Sequence, residues 1–287
     1  MRYHIHHTTT YTYSQAVILN PHRVRLQPRC DPFQVLEQTS VTLDPIPLGQ
    51  SVILDALGNS ILRCWWSPRP VERLTVMAHS VVVTSCTNPF NYLLEPWATQ
   101  LPFDYPRSLL PALSPYLESE ELGGSPSVAE FAQDLMLEHR RNPQEFLFGL
   151  NQYIYHHCQY VSRLEGPPQP PYYTLKHQSG CCRDFVLLFM AACRAVGLAA
   201  RFVSGYEQGD LKQEQTLHAW AEVYLPGAGW RGYDPTLGLV VCDRHVAIAA
   251  HYRPLAAAPI AGTHQGQASA TLTSKVRILT DELEIKV

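Results

Sequence analysis

Three groups of residues in this chain could do chemistry together. Cys181 and Cys182 stand in Gly180-Cys181-Cys182-Arg183-Asp184-Phe185, directly ahead of the apolar run Val186 to Val196. Downstream come Leu217-His218-Ala219-Trp220 and Tyr233-Asp234-Pro235-Thr236, supplying an imidazole and a carboxylate in the chain order Cys, His, Asp. A cysteine at the junction of a glycine-containing turn and a helix sits in the field of the helix N-terminus, where unpaired N–H groups favour a thiolate. An imidazole in reach can take the thiol proton and return it to a leaving amine, and a carboxylate on the far ring nitrogen fixes the tautomer. Such a set has the parts of a thiol triad. Spacing alone does not choose between Cys181 and Cys182, and two small packing residues would read the same way.

The elements around these residues are those such a site needs. The helix from 182 to 196 ends at Gly197, a suitable left-handed cap. Strands follow over Ala199 to Gly205, His218 to Leu225 and Trp230 to Tyr233, the last two joined by the turn Pro226-Gly227-Ala228-Gly229. A helix followed by antiparallel strands sets acid and base opposite the helix N-terminus, an α+β catalytic domain. Upstream, Ser127 with Glu130 predicts a capping box opening a helix through His139, and Asn142-Pro143 with Glu145 predicts a second helix to about His157. Phe146, Leu150, Tyr153 and Ile154 share one face of that second helix. The stretch from 158 to 180, with Gly166-Pro167-Pro168 and Pro170-Pro171, reads as an irregular loop walling the cleft.

Residues 2 to about 85 read differently. Tyr3, Ile5 and His7, then Tyr11 and Tyr13, then Val24 and Leu26 alternate with polar residues, predicting an antiparallel β-sandwich of short strands. Residues 86–126, punctuated by Pro89, Pro96, Pro102, Pro106, Pro111, Pro115 and Pro126, read as a wrapping linker in which Ser114 to Glu121 has room for a helical turn. The expected organisation is an N-terminal β-sandwich over 1–85, a Pro-rich linker over 86–126, and a catalytic core over 127–287 closed by a strand from Leu272 to Leu279.

A chain of 287 residues with 46% hydrophobic content can bury cores of this size. Its formal charge of -3 and the lack of any Lys/Arg run longer than a pair argue against a nucleic-acid partner. The eight cysteines, at 30, 64, 86, 158, 181, 182, 193 and 242, form no C-x-x-C pair and no spaced disulfide framework. No apolar segment reaches the ~18 residues of a membrane span, and the first residues lack a signal peptide's apolar run. The expectation is a cytoplasmic protein with reduced thiols and no membrane partner. Strand alternation sets His4 and His6 on one face and His7 on the other, so no metal site is expected, and no cofactor is called for. Tyr206 and Trp220 are candidates for lining a substrate groove, where core packing would account for them equally well.

The motifs carry a resemblance. Gly-x-Cys-Arg-Asp-Phe at 180–185, the run from Cys193 to Tyr206, His-Ala-Trp-Ala-Glu-Val-Tyr-Leu-Pro-Gly at 218–227, Tyr-Asp-Pro-Thr at 233–236 and Asp243-Arg244-His245 resemble the bacterial transglutaminase-like superfamily. At the front, Tyr3-x-Ile5-x-His7-x-Thr9, Pro21 to Leu26, Pro28-Arg29 and Asp55 to Asn59 resemble the β domain that precedes that core. The resemblance implies a papain-like core in which the residue before Arg183 is the nucleophile, selecting Cys182, with His218 as base and Asp234 as its orienter. It implies a thioester intermediate on a peptide or protein substrate, resolved by water or by an amine. Helix N–H groups at Cys182 would form the oxyanion hole, with Gln178 a candidate second donor. Hydrolysis is the expected reaction. Glutamine transamidation or deamidation is the alternative, and a non-catalytic protein-binding module a second one. Leu217 and Leu237 replace the small polar residue and the Asn common in relatives, and the tail after Arg253 lacks their Gly-Arg-Asp-Tyr pattern.

Overall fold

Alternating side chains over an unbroken strand build the first half of the molecule. The computed structural model describes residues 1–118, 124–163, 166–209 and 215–281. Its first strands are β1 (Arg2–Leu19), β2 (His22–Val24), β3 (Gln34–Asp44), β4 (Gly49–Leu54), β5 (Ser60–Trp65) and β6 (Val71–Thr84). Along β1 the odd residues Tyr3, Ile5, His7, Thr9 and Tyr13 are buried, as a period of two requires of a strand with one face on a core. The strands are not all short: β1 runs for 18 residues and β6 for 14. His6 stacks on His79, with ring centroids 4.3 Å apart, while His4 bonds Asp281 through Nε2 at 3.0 Å.

Residues 86–118 wrap the second half in turns, a single helical turn α1 (Leu110–Leu113) and short 3-10 pieces at Pro96–Ala98 and Ser114–Tyr116. The end of the turn expected up to Glu121 lies outside the described residues. The wrap is anchored: Leu101 N donates to Arg141 O at 2.7 Å, and the Tyr105 hydroxyl donates to Tyr224 O at 2.9 Å.

The second half follows as α2 (Pro126–Glu138), α3 (Pro143–His157), β7 (Gln159–Tyr160), α4 (Pro171–His177), β8 (Ser179–Gly180), α5 (Cys182–Ala195), β9 (Ala200–Glu207), β10 (His218–Leu225), β11 (Gly229–Asp234), β12 (Leu239–Val240) and β13 (His245–His251). The cap of α2 is Ser125, not Ser127, because Pro126 takes the first helical position, where its missing N–H costs nothing. Asn142 caps α3, its Oδ1 accepting from Gln144 N and Glu145 N at 2.9 and 3.0 Å. The stretch expected to be irregular before Cys181 contains α4, begun by Pro171 in the same manner. Helix α5 is buried from Asp184 to Arg194, and Gly197 follows it with φ of 83°. It packs against the sheet ordered β12-β11-β10-β9-β13 on one side and against α2, α3 and α4 on the other. Among the described residues no helix is long and apolar enough to cross a membrane.

The chain then returns to the first half through β14 (Ile260–Ala261), β15 (His264–Gln265) and β16 (Ala270–Thr280). The closing strand was expected in the catalytic core. Instead β16 pairs antiparallel with β1, from Tyr3↔Thr280 to Tyr13↔Ala270. It covers an edge of β1 whose N–H and C=O groups would otherwise be unpaired. The first half thus holds a five-stranded antiparallel sheet (β15-β1-β6-β3, with β16 on β1) and a four-stranded one (β14-β2-β5-β4). One apolar cluster joins both sheets through Tyr3, Val24 and Cys64, and continues into the second half through Tyr206, Val246 and Ile248.

Candidate active site

The start of α5 explains why two cysteines are adjacent. Cys181 is the N-cap: its sulfur accepts from the Asp184 N–H, and Asp184 Oδ2 accepts from the Cys181 N–H at 2.8 Å. This is a capping box with a thiol in the place of the usual hydroxyl. The Asp184 carboxylate is fully buried, and its Oδ1 accepts from Arg163 Nη2 at 2.6 Å and from Gln169 N at 2.7 Å. Burial would push this carboxyl up, but the Gln169 and Cys181 N–H groups and the Arg163 guanidinium hold it below the usual carboxylate range. Gly180 makes the turn possible, since a Cβ there would lie 2.8 Å from the Asp184 Cβ. With Cys181 2% exposed and committed to the cap, Cys182 is the partly exposed thiol on the first turn.

His218 opens β10 and Asp234 ends the adjacent strand β11. His218 Nε2 lies 2.6 Å from Asp234 Oδ2, with the imidazole 14% exposed and the carboxylate fully buried. Asp234 Oδ1 accepts from Thr236 N at 3.0 Å and Leu237 N at 3.3 Å, and a second imidazole, His245 Nε2, reaches Oδ2 at 3.1 Å. Burial opposes the Asp234 charge, yet His218 and His245 outweigh it and hold the carboxyl well below its usual range. Burial likewise opposes protonation of His218, but the Asp234 charge and hydrogen bonds to Asp234 and Cys182 hold the imidazole well above its ordinary range. Nε2 is occupied by Asp234, so Nδ1 is the nitrogen left for the Cys182 sulfur.

Cys182 and His218 line one cleft of about 280 Å³. Tyr160, Ser162 and Arg163, from the stretch expected to wall it, form part of the rim. The opposite wall comes from the first half of the molecule: Thr9 and Tyr11 on β1, with their cross-strand partners Ser274 and Leu272 on β16. No sequence signal announced that wall, since a register between residues 9 and 274 leaves no local trace.

A model of the transglutaminase-like superfamily matches residues 130–235, which include Cys182, His218 and Asp234. A model of the bacterial transglutaminase-like N-terminal region matches residues 3–83. An uncharacterized protein of Mycobacterium tuberculosis is 31% identical over 262 residues, covering 86% of this chain and 82% of that protein. The chain belongs to the transglutaminase-like superfamily. A protein-glutamine gamma-glutamyltransferase of Pseudomonas aeruginosa is 28% identical over 125 residues, 39% of this chain and 18% of that one. In fold, the chain resembles the crystal structure of a candidate cysteine protease from Cytophaga hutchinsonii, with a TM-score of 0.72 at 22% identity, covering 98% of this chain and 91% of that one.

Within this transglutaminase-like core three expected contacts are absent. Gln178, the candidate oxyanion donor, is an exposed left-handed residue (φ 48°) capping α4, and it does not line the Cys182 cleft. Its geometry serves the turn: its carbonyl accepts from Gln159 N at 2.7 Å. Tyr206 is buried with its hydroxyl bonded to His7 Nδ1 at 2.9 Å, tying the two halves together behind the cleft. Trp220 instead lines a second cavity of about 320 Å³ that it shares with His245. His218 and Trp220 are two residues apart on β10 and so share a face, but Trp220 is buried edge-on against His245 and does not line the cleft. Sequence reasoning quoted Asp184 and His245 within motifs but gave neither a role. A carboxylate three residues after a helix cap is a capping-box spacing and marked Asp184; His245 stood in the Asp243-Arg244-His245 motif of the resemblance, which gave it no role.

Proposed function

We propose that this protein is a cysteine-dependent acyl-transfer enzyme that hydrolyses amide bonds of peptide or protein substrates. Cys182 is the nucleophile, His218 the general base and acid, and Asp234 the group that orients His218. The observation that carries this reading is the 2.6 Å contact between His218 Nε2 and Asp234 Oδ2, which leaves Nδ1 for the thiol. The thiol proton passes to Nδ1 as sulfur attacks the substrate carbonyl carbon, and first-turn N–H groups of α5 supply donors to the oxyanion. Collapse of the tetrahedral intermediate expels the amine, which takes the proton from Nδ1. Water, deprotonated at the same nitrogen, then attacks the thioester carbonyl and frees the thiol.

Water rather than a lysine amine is the favoured acceptor. Two arginines line the cleft: Arg163 is paired with the Asp184 carboxylate, and Arg183, bonded to carbonyl oxygens, keeps a positive charge that repels an incoming ammonium. Similarity to a Pseudomonas aeruginosa glutamyltransferase over 125 residues supports transamidation as the second reading. Eight cysteines without a spaced disulfide framework suit a reducing compartment, and a cytoplasmic location goes with this reading.

The test is incubation with glutamine-containing and ordinary peptides, with and without a primary amine, followed by mass spectrometry and ammonia assay. New amino termini that vanish in Cys182→Ser support hydrolysis; amine incorporation with ammonia release would overturn it in favour of transamidation. If iodoacetamide labels Cys182 no faster than the exposed Cys30, the site is not catalytic.

A further inference from the structure

One buried imidazole is left over by that mechanism. His245 opens β13 with 5% of its surface exposed, and its Nε2 lies 3.1 Å from the Asp234 oxygen that bonds His218 at 2.6 Å. Its other nitrogen, Nδ1, is buried with no hydrogen-bond partner among the described residues, and its ring meets Trp220 edge-on at 5.2 Å. These contacts dictate its form. A carboxylate oxygen only accepts, so Nε2 must carry the hydrogen. A second hydrogen on Nδ1 would be buried without an acceptor, which a neutral ring avoids. His245 is a neutral donor aimed at Asp234.

We propose that His245 is a positioning residue of the Cys182, His218 and Asp234 site, clamping Asp234 Oδ2 so that the carboxylate meets His218 in one orientation. The inference rests on the acyl-transfer reading. The Thr236 and Leu237 N–H groups hold Oδ1 but leave the carboxylate plane free to swing about it. A second donor on Oδ2 removes that freedom. It also divides the oxygen's electron density between two N–H groups, which limits how strongly Asp234 stabilises the His218 imidazolium and so keeps the Nδ1 proton transferable to a leaving amine.

The segment carrying His245 is itself held by the first half of the molecule. Asp243 O accepts from the Tyr3 hydroxyl at 3.1 Å and from Thr84 Oγ1 at 2.6 Å, and Asp243 N donates to Cys86 O at 3.0 Å. The β domain therefore supports the site through β1 and β6 as well as walling the cleft. The titratable groups facing His218 are Cys182 from α5 and Asp234 from β11; those facing Asp234 are His218 from β10 and His245 from β13.

The experiment compares the full chain with His245→Met, which keeps bulk and removes the donor, and His245→Gln, whose side-chain amide can again donate to Oδ2. Losing a hydrogen bond to a charged group predicts kcat lower by about 10- to 100-fold in His245→Met with KM unchanged. The alkaline limb of Cys182 alkylation by iodoacetamide moves to higher pH in that variant, because Asp234 then serves His218 undivided. His245→Gln recovers at least half of the lost rate on a logarithmic scale and returns the limb towards its original pH. Nitrogen shifts of labelled histidines report His245 neutral with the hydrogen on Nε2, and the His218 Nε2 proton resonance moves in His245→Met. The proposal is overturned if His245→Met matches the parent in limb and kcat, if His245→Gln is as impaired as His245→Met at equal melting temperature, or if His245 carries its hydrogen on Nδ1. Should the parent fail to turn over any peptide, the acyl-transfer reading falls, and the His245 and His218 resonances still decide whether His245 positions His218 through Asp234.

Discussion

Asp234→Asn isolates what the buried carboxylate does. The carboxylate accepts four hydrogen bonds: His218 Nε2 at 2.6 Å, His245 Nε2 at 3.1 Å, Thr236 N at 3.0 Å and Leu237 N at 3.3 Å. An amide has one oxygen, and the two backbone N–H groups claim it at the Oδ1 position. The NH2 group then faces two imidazole nitrogens that both carry hydrogen. To bond it, His218 must move its hydrogen to Nδ1, which turns an N–H rather than a lone pair towards Cys182 and removes the base. The same carboxylate-to-amide change in serine-protease triads costs ~10⁴-fold in kcat. For Asp234→Asn we expect turnover of the peptide substrate to fall about 10³- to 10⁴-fold, equivalent to about 4 to 5.5 kcal/mol of barrier. Alkylation of Cys182 by iodoacetamide at pH 7 falls at least tenfold, because the imidazolium that accompanies the thiolate is no longer stabilised. The assay is the second-order alkylation rate with peptide turnover alongside, on protein whose circular dichroism shows it folded. Turnover and alkylation within threefold of the parent would refute the reasoning, since they would show that Asp234 neither sets the tautomer nor stabilises the charge of His218.

Two further perturbations test the supports around the site. Asp184→Asn places an NH2 group against buried N–H donors from Cys181, Gln169 or Arg163, and should lower stability by about 2 to 4 kcal/mol in guanidinium titration; a loss below about 1 kcal/mol would show that the capping box does not organise the start of α5. Burial holds His7 down to about 4, against about 6.5 unfolded, so the unfolded chain binds a proton through this window that the folded chain does not. Stability contributed by the neutral ring is therefore present above about pH 6.5 and is lost as pH falls towards about 4. Between pH 7 and pH 4.5 the parent should lose about 2 to 3 kcal/mol more unfolding free energy than His7→Gln, and equal losses would contradict the assignment.

Local features of this site were legible in the amino-acid order. The turn at Gly180, the helix behind Cys182 and the strand beginning at His218 follow from glycine placement, helical periodicity and alternation, which act over a few residues. Asn142-Pro143 announced α3 for the same reason, its side chain capping donors two and three residues away. The spacing of Cys181 and Asp184 was also visible, but its meaning was not, because cysteine seldom plays the serine's part at a helix cap. Gln178 misled because proximity in sequence to Cys182 is not proximity in space: a left-handed turn at that residue directs it away.

The sequence by itself determined the α+β class, the order of the reactive residues and which helix presents the thiol, since those depend on local propensity and on motif. The tertiary structure decided everything that couples distant parts of the chain. It carried β16 back to β1, so that Thr9 and Ser274 close the cleft beside Cys182. It brought His245 onto the oxygen of Asp234 that also holds His218. It separated two adjacent cysteines into a buried cap and a partly exposed thiol. Strand pairing and the sharing of one carboxylate are properties of register and packing between segments far apart in the chain, and no short-range pattern encodes them.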